Sequence, residues 1–427
     1  MERFNRDLLD FITESKTAFH AAKKIEEMLI SDGFTRLYEE EKWAMSAGGK
    51  YYVVRNESAI IAFKLSNKAV EDSVWRIVGA HTDSPTMKIK PNPEVVSKNI
   101  FQLAIEPYGS MILATWFDRD LSIAGRVNYL DKSMSVASAL IDFKTAVAII
   151  PSLAIHLNRN GGDNSTINKQ KELPPILMEI DASVTLPSFD GLLLSYLHNM
   201  GLEASKVLGH ELFLYDTNPP QVVGLNNDFI TGSRLDNLLS CFVGAKALQS
   251  CGDEICGLLV CNDHEECGSI SLAGAESNFL KTVIGRICGG EFEKVSRVMA
   301  RALMASVDNA HALHPNYPEK HEPGHSPLLN RGPVIKFNAN QKYASNGHSS
   351  AFFSLLADVA QVPLQSFVAR SDVGCGSTIG PTTSALLGVQ TVDIGVPTLS
   401  MHSIRETAGT KDAFDLYKLL SLFFRQA

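Results

Sequence analysis

The sequence has no basic tract, no long apolar run and no framework of cysteines. Its net charge is −8 over 427 residues, which argues against nucleic acid or an anionic membrane surface as a partner. The longest apolar stretch, around Ala146 to Ile155, is broken by Pro151 and is too short to span a bilayer. The N-terminus MERFNRDLLDFI reads as an amphipathic helix with Phe4, Leu8, Phe11 and Ile12 on one face, not as a signal peptide. The seven cysteines all follow residue 240, odd in number and without disulfide-rich spacing; a reducing, cytoplasmic setting is expected. Asn56 and Asn164 head glycosylation sequons that matter only on a secretory route. There is no Walker-type phosphate loop, no Gly-x-Ser-x-Gly elbow and no internal repeat. GCGSTIG at 374–380 misses the dinucleotide fingerprint by one residue and reads as a tight turn into a helix.

What is present is ordinary globular material, 45% hydrophobic and 20% charged, long enough for two domains. The first 90 residues alternate helical and extended patterns, ending in the strands YYVVR, AIIAFKL and VWRIVGAH. The alternation returns after residue 229, with a helix at 234–250, the strand ICGLLVCN, helices near 273–284 and 291–303, and strands TVDIGV and LSMHS. A final helix carries Phe414, Tyr417, Leu420 and Phe424. Residues 92–228 instead show strand-like alternation, turns, few helical stretches and a polar loop at 158–175. The expected architecture is α/β. A discontinuous domain of residues 1–91 and 229–427, with a central, mostly parallel sheet flanked by helices, is interrupted by a β-rich domain at 92–228.

Candidate metal ligands close the apolar runs: His81 and Asp83 after RIVGA, Asp236 after SRL, Glu265 and Glu266 after GLLVCNDH, Asp308 after LMASV, and His402 in LSMHS. Imidazole and carboxylate oxygen suit Zn²⁺ or Mn²⁺, and this many donors suggest two divalent cations. His81 and Asp83, two apart, would point the same way on a continuing strand, placing Asp83 to orient the imidazole or its neighbours. Adjacent Glu265 and Glu266 point differently, so one can bind metal while the other takes a proton from water. Singly, most of these residues have bland readings: His81 and His402 as structural histidines, Asp236 as a helix-terminal carboxylate, the Glu pair as solvated. Cys261, His264 and Cys267 form a competing Cys-x2-His-x2-Cys set with a His-x-Glu echo of zinc deaminases, but no Pro-Cys-x-x-Cys follows.

From end to end the chain resembles the aspartyl aminopeptidases. The resemblance rests on GAHTDSP ending at Pro85, SRLDN at 233–237, DHEECGS at 263–269, DNAHALHPNYPEKHEP at 308–323, GPVIKFN and QKYASN within 332–346, and MHSIRE at 401–406. It implies a peptidase removing N-terminal Asp or Glu, with two divalent ions per subunit, zinc foremost and manganese or cobalt as alternatives. His81, Asp236 and Asp308 would hold one ion, and Asp236, Glu266 and His402 the other. Glu265 would be the general base, with Asp83 supporting His81. His311, Lys336, Tyr343 and His156 would bind substrate, His156 reaching over from a neighbouring subunit. The inserted domain would mediate dimerisation within a homododecamer. Cys267 stands where the family more often has Val. Other readings are a broad-specificity aminopeptidase or deacylase on the same site, and a non-catalytic assembly protein, which would have no use for Glu265.

Overall fold

The computed structural model describes residues 1–157, 166–180 and 188–426. The first part of the polar loop at 158–175, with Asn164, lies outside the described residues. The chain divides into two compact units, one comprising residues 1–84, 220–401 and 406–427, the other 85–219 with 402–405.

The first unit is built on a nine-stranded sheet. Its strands are β1 (Thr35–Arg36), β2 (Lys50–Arg55), β3 (Ala59–Lys64), β4 (Val74–His81), β5 (Ile255–Asn262), β6 (Leu303–Val307), β7 (Val334–Phe337), β8 (Gln365–Val368) and β9 (Gln390–Gly395), in the order β1-β2-β3-β5-β4-β6-β9-β7-β8. Five of the eight pairings are parallel: β1–β2, β5–β4, β4–β6, β6–β9 and β7–β8. Central strands covered on both faces must be apolar throughout, and ICGLLVCN of β5 and LMASV of β6 are buried at every position. One covering layer includes the N-terminal helix Glu2–Glu14, which buries Leu8, Phe11 and Ile12, and the helix Leu235–Leu248. Phe4 sets its ring edge-on to Phe242 at 5.2 Å and to Phe414 at 5.3 Å. In the last helix, Asp412–Phe423, the buried stripe is Ala413, Leu416, Leu420 and Phe423, a step round from the expected Phe414 and Tyr417, which are only partly buried.

The second unit is a six-stranded, fully antiparallel sheet. It begins at Pro85, earlier than the expected residue 92, because Thr86–Ser97 is one strand despite Pro91 and Pro93. Prolines argue against a regular strand interior; here they fall in an irregular register between Ile89 and Glu94. The unit ends at Pro219, not 228. It also holds a helix, Phe189–Asn199, started by Ser188 Oγ accepting from the Gly191 N–H at 3.0 Å. Phe189, Leu193 and Leu197, four residues apart, supply its buried face.

Candidate metal centre

Three adjacent parallel strands deliver the centre. Parallel pairing aligns strand ends, and ligands in such sheets gather beyond the carboxyl ends. His81, the last residue of β4, lies in register with Asn262, the last of β5. Asp308 follows the end of β6, β4's other neighbour. Asp236 arrives from elsewhere: Arg234, at φ 62°, turns the chain into the helix Leu235–Leu248, and Asp236 keeps non-helical angles at its start.

His81 is buried, and its two ring nitrogens face different neighbours. Nδ1 lies 3.0 Å from the Asp83 carbonyl and 3.3 Å from its Oδ1. Nε2 lies 3.6 Å from Asp236 Oδ1 and 3.7 Å from Asp308 Oδ1. The latter distances are long for hydrogen bonds. They suit atoms around one cation, since donors about 2.0–2.1 Å from a tetrahedral ion lie roughly 3.3 Å apart. One donor atom each from His81, Asp236 and Asp308 falls within 4.8 Å of the others, as does one each from His81, Glu265 and Glu266. So many carboxylates gathered out of water repel one another unless a cation intervenes; this donor set fits a divalent metal.

Asp83 does more than its spacing from His81 suggested. The strand ends at His81, so the two residues do not continue one strand. The Asp83 carboxylate instead accepts backbone N–H bonds from Glu265 at 3.2 Å and Glu266 at 3.1 Å. One buried anion thus fixes the imidazole and the turn carrying the Glu pair. That turn, Glu265–Cys267, is a short 3₁₀ segment between left-handed His264 (φ 62°) and Gly268 (φ 102°), not a strand end. Glu406, missed in the sequence, accepts the Asp236 N–H at 2.9 Å, and Asn237 Nδ2 donates to the Val307 carbonyl at 2.8 Å. Nothing but the proximity of Glu406 to His402 in MHSIRE could have flagged it.

Burial is the largest influence on Glu265, with the Asp308, Glu266 and Asp83 charges adding to it; although His81 pulls the other way, its carboxyl is pushed up to about 8. Burial alone would lower His81, but Asp308 and Asp83 outweigh it and hold the imidazole well above its ordinary value. Asp308 is likewise resisted by burial, yet Lys336 and His81 keep it below the carboxylate range. Lys336, buried in β7, places Nζ 3.3 Å from Asp308 Oδ2 and donates to the Asn309 carbonyl at 3.1 Å.

Lys336 Nζ also lies 5.2 Å from the centre of the Tyr343 ring. Tyr343 and His311 line a cavity of about 330 Å³ with His314, Lys320, His321 and Arg370; among the described residues lining it, Glu322 is the one carboxylate. His156 is exposed in the short turn Ile155–Leu157 of the second unit. His402 is not on a strand as LSMHS suggested. It sits at φ 66° in the connection between strands Pro397–Leu399 and Glu406–Gly409, its carbonyl accepting the Ile112 N–H at 3.0 Å. The Cys/His alternative does not converge: Cys261 is buried within β5, Cys267 is exposed, and His264 Nδ1 engages Ser271 Oγ at 2.9 Å.

Stripping the cation should make stability pH-dependent. Glu265 and His81 would then hold protons in the folded chain where the unfolded chain releases them, so stability falls as pH rises. For Glu265 the window runs from 4.5 to about 8, and for His81 it opens above 6.5. Asp308 acts in the opposite sense, with stability lost as pH falls, but below 3.8. Tm in chelator should drop between about pH 6 and pH 8, more steeply than with metal; equal slopes would mean that these groups do not titrate in that range.

A buried cluster of carboxylates and imidazole at the carboxyl ends of a largely parallel sheet, with a spare Glu beside it, defines a metal-dependent hydrolase of α/β architecture. Comparison with known proteins narrows the class. The model of the M18 aminopeptidase I zinc metalloproteases matches residues 11–424. The chain is 51% identical to the "Probable M18 family aminopeptidase 2" of Stutzerimonas stutzeri, covering 100% of this chain and 99% of that one. Its fold matches a chain of the cryo-EM structure of the Ape4 and Nbr1 complex at TM-score 0.95 and 38% identity, over 99% of this chain and 85% of that one. It matches the S. cerevisiae mApe1 dodecamer structure at 0.85 and 28%, over 98% and 95%. The chain belongs to the M18 family of zinc aminopeptidases.

Proposed function

We propose that the protein removes N-terminal aspartate or glutamate from peptides at a two-metal site. His81, Asp236 and Asp308 hold one ion in this reading; the family resemblance gives the other to Asp236, Glu266 and His402. Ions held by these residues would supply Lewis acidity toward water and the scissile carbonyl. Glu265 takes the proton and returns it to the leaving amine, as a carboxylate placed beside the ligands but left out of them can do. Asp83 keeps the His81 ring and the Glu265 turn in fixed relation.

The observation that carries acidic specificity is the cavity beside Lys336, whose lining is richer in basic than in acidic side chains. A panel of Asp-, Glu-, Ala- and Leu-linked chromogenic substrates tests it with zinc, manganese or cobalt supplied. Preference for the neutral substrates would return the protein to a broad aminopeptidase, and hydrolysis of acylated amines alone to a deacylase.

Lys336 has one donor left after Asp308 and Asn309, and in this reading it faces the substrate carboxylate. Lys336→Met keeps the stem and removes the charge. We expect kcat/KM for Asp substrates to fall ~10 to 10³-fold, the scale of a lost charge-assisted hydrogen bond, and neutral substrates far less. Equal losses with reduced metal content would make Lys336 a support for Asp308 alone.

Self-association completes the proposal: the second unit mediates dimerisation within a dodecamer, and His156 enters a neighbouring subunit's site. Supporting it, His156 sits among Leu153, Ile155 and Leu157, which are 62–76% exposed, and contiguous apolar exposure marks interaction surfaces. Mixing His156→Ala with Glu265→Gln subunits, each inactive alone, should restore partial activity after dissociation and reassembly. No recovery despite proven subunit exchange would place His156 outside its neighbour's site. The cytoplasmic setting belongs to the same reading; no helix among the described residues is long and apolar enough to cross a membrane.

A further inference from the structure

Asp393, in the middle of β9, is completely buried and serves no ligand role in the centre described above. Its carboxylate joins two segments that approach it from different parts of the chain. Oδ2 accepts the Ala344 N–H at 2.5 Å, and Oδ1 accepts the Thr378 hydroxyl at 2.6 Å. The backbone repeats the first link, with the Asp393 N–H donating to Ser345 Oγ at 2.8 Å. Thr378 in turn caps the helix Ile379–Leu387 by accepting the Gly380 N–H at 3.2 Å. Gly380 is required by this approach, because a Cβ there would stand 2.4 Å from Asp393 Oδ2.

Both tethered segments are walls of the cavity beside Lys336. Tyr343 immediately precedes Ala344, and Cys375 and Gly376 precede Thr378 by two or three residues. Tyr343 also leans on Phe367, a third lining residue, with ring centroids 6.4 Å apart. Burial pushes the Asp393 carboxyl up, while the Lys336 charge and hydrogen bonding from Ser306, Thr378 and Ala344 draw it back down. A buried carboxyl bonded through both oxygens fixes its partners closely, since any displacement leaves a buried polar group unsatisfied.

We infer that Asp393 is a positioning residue for the substrate side-chain cavity, holding the Tyr343 wall and the Cys375–Gly376 wall at a set separation. The inference rests on the reading that this cavity receives the N-terminal side chain of the peptide. Asp393 touches neither substrate nor metal, so its loss acts on substrate binding rather than on the chemical step.

The test compares Asp393→Ala, Asp393→Asn and Thr378→Val in the full-length, metal-loaded protein. Asp393→Ala removes both tethers and should raise KM for the best wild-type substrate at least about tenfold, within the range that misplacement of positioning groups can reach. Its kcat and zinc content should stay near wild type. Asp393→Asn can still offer an oxygen to Ala344 and an amide to Thr378, and should recover most of the loss. Thr378→Val, an isosteric change outside the sheet, cuts one tether and should raise KM in the same direction; it keeps the test decisive if Asp393→Ala does not fold. Wild-type KM in Thr378→Val, or a fall in kcat with loss of zinc in any folded Asp393 variant, would overturn the inference. Failure of the acidic reading is seen separately, as a wild-type enzyme that prefers Leu- or Ala-linked substrates.

Discussion

Glu265→Gln should leave bound metal in place and nearly abolish turnover. The amide keeps the shape of the side chain and the backbone N–H that Asp83 holds at 3.2 Å, so the turn has no reason to move. What disappears, in the proposed mechanism, is the group that accepts and returns a proton, a contribution of at least ~10²-fold to kcat. With no cation bound, burial and its anionic neighbours push the Glu265 carboxyl up to about 8 while His81 pulls against them, which sets this enclosed, charge-rich position apart from an ordinary surface acid. Zinc content by elemental analysis and kcat must be read together. Normal zinc with near-normal turnover would remove Glu265 from the mechanism.

Asp236→Asn should fail in the opposite way, by losing metal. Its Oδ1 lies 3.6 Å from His81 Nε2 in a buried site, and an amide supplies neither the charge nor a second anionic oxygen. Dialysed protein should hold substoichiometric zinc, and activity should fall with occupancy. Ligand binding stabilises a fold by roughly 2.7 kcal/mol when the ligand is at a hundredfold its Kd, so the rise in Tm on adding zinc to stripped protein should shrink or vanish. Undiminished zinc affinity would take Asp236 out of the ligand set while leaving the aminopeptidase assignment, which rests on the family match, intact.

The parts of this site that showed in the sequence are those carried on buried parallel strands. Such strands must be apolar along their whole length, so a His or Asp at the end of RIVGA or LMASV stands out. Long-range second partners did not show. Asp83 showed as a support for the imidazole or its neighbours, but nothing in His-x-Asp announces that Glu265 and Glu266, 182 and 183 residues later, will donate to it. Lys336 entered only through the family resemblance, and its pairing with Asp308 depends on where β7 falls in the sheet order. The strand Thr86–Ser97 was hidden by Pro91 and Pro93, whose cost is absorbed in an irregular register that only the paired strand reveals. His402 was read as part of a strand because LSMHS alternates, whereas pairing stops at Leu399 and the residue turns out at positive φ.

The sheet order sets a timetable for synthesis. β4, bearing His81, pairs with β5 on one side and β6 on the other, and β3 pairs with β5 rather than with β4. When residue 81 leaves the ribosome, both of its strand's partners are still untranslated, and the nearer begins at residue 255. At about 5–20 residues per second that gap lasts roughly ten to thirty-five seconds. During it, VWRIVGAH is an apolar strand with two open edges, the kind of segment that associates with other chains. Over this interval those edges are unprotected, and Asp236 and Asp308, the candidate ligands that gather with His81, join it only after more than half of the polypeptide has been made.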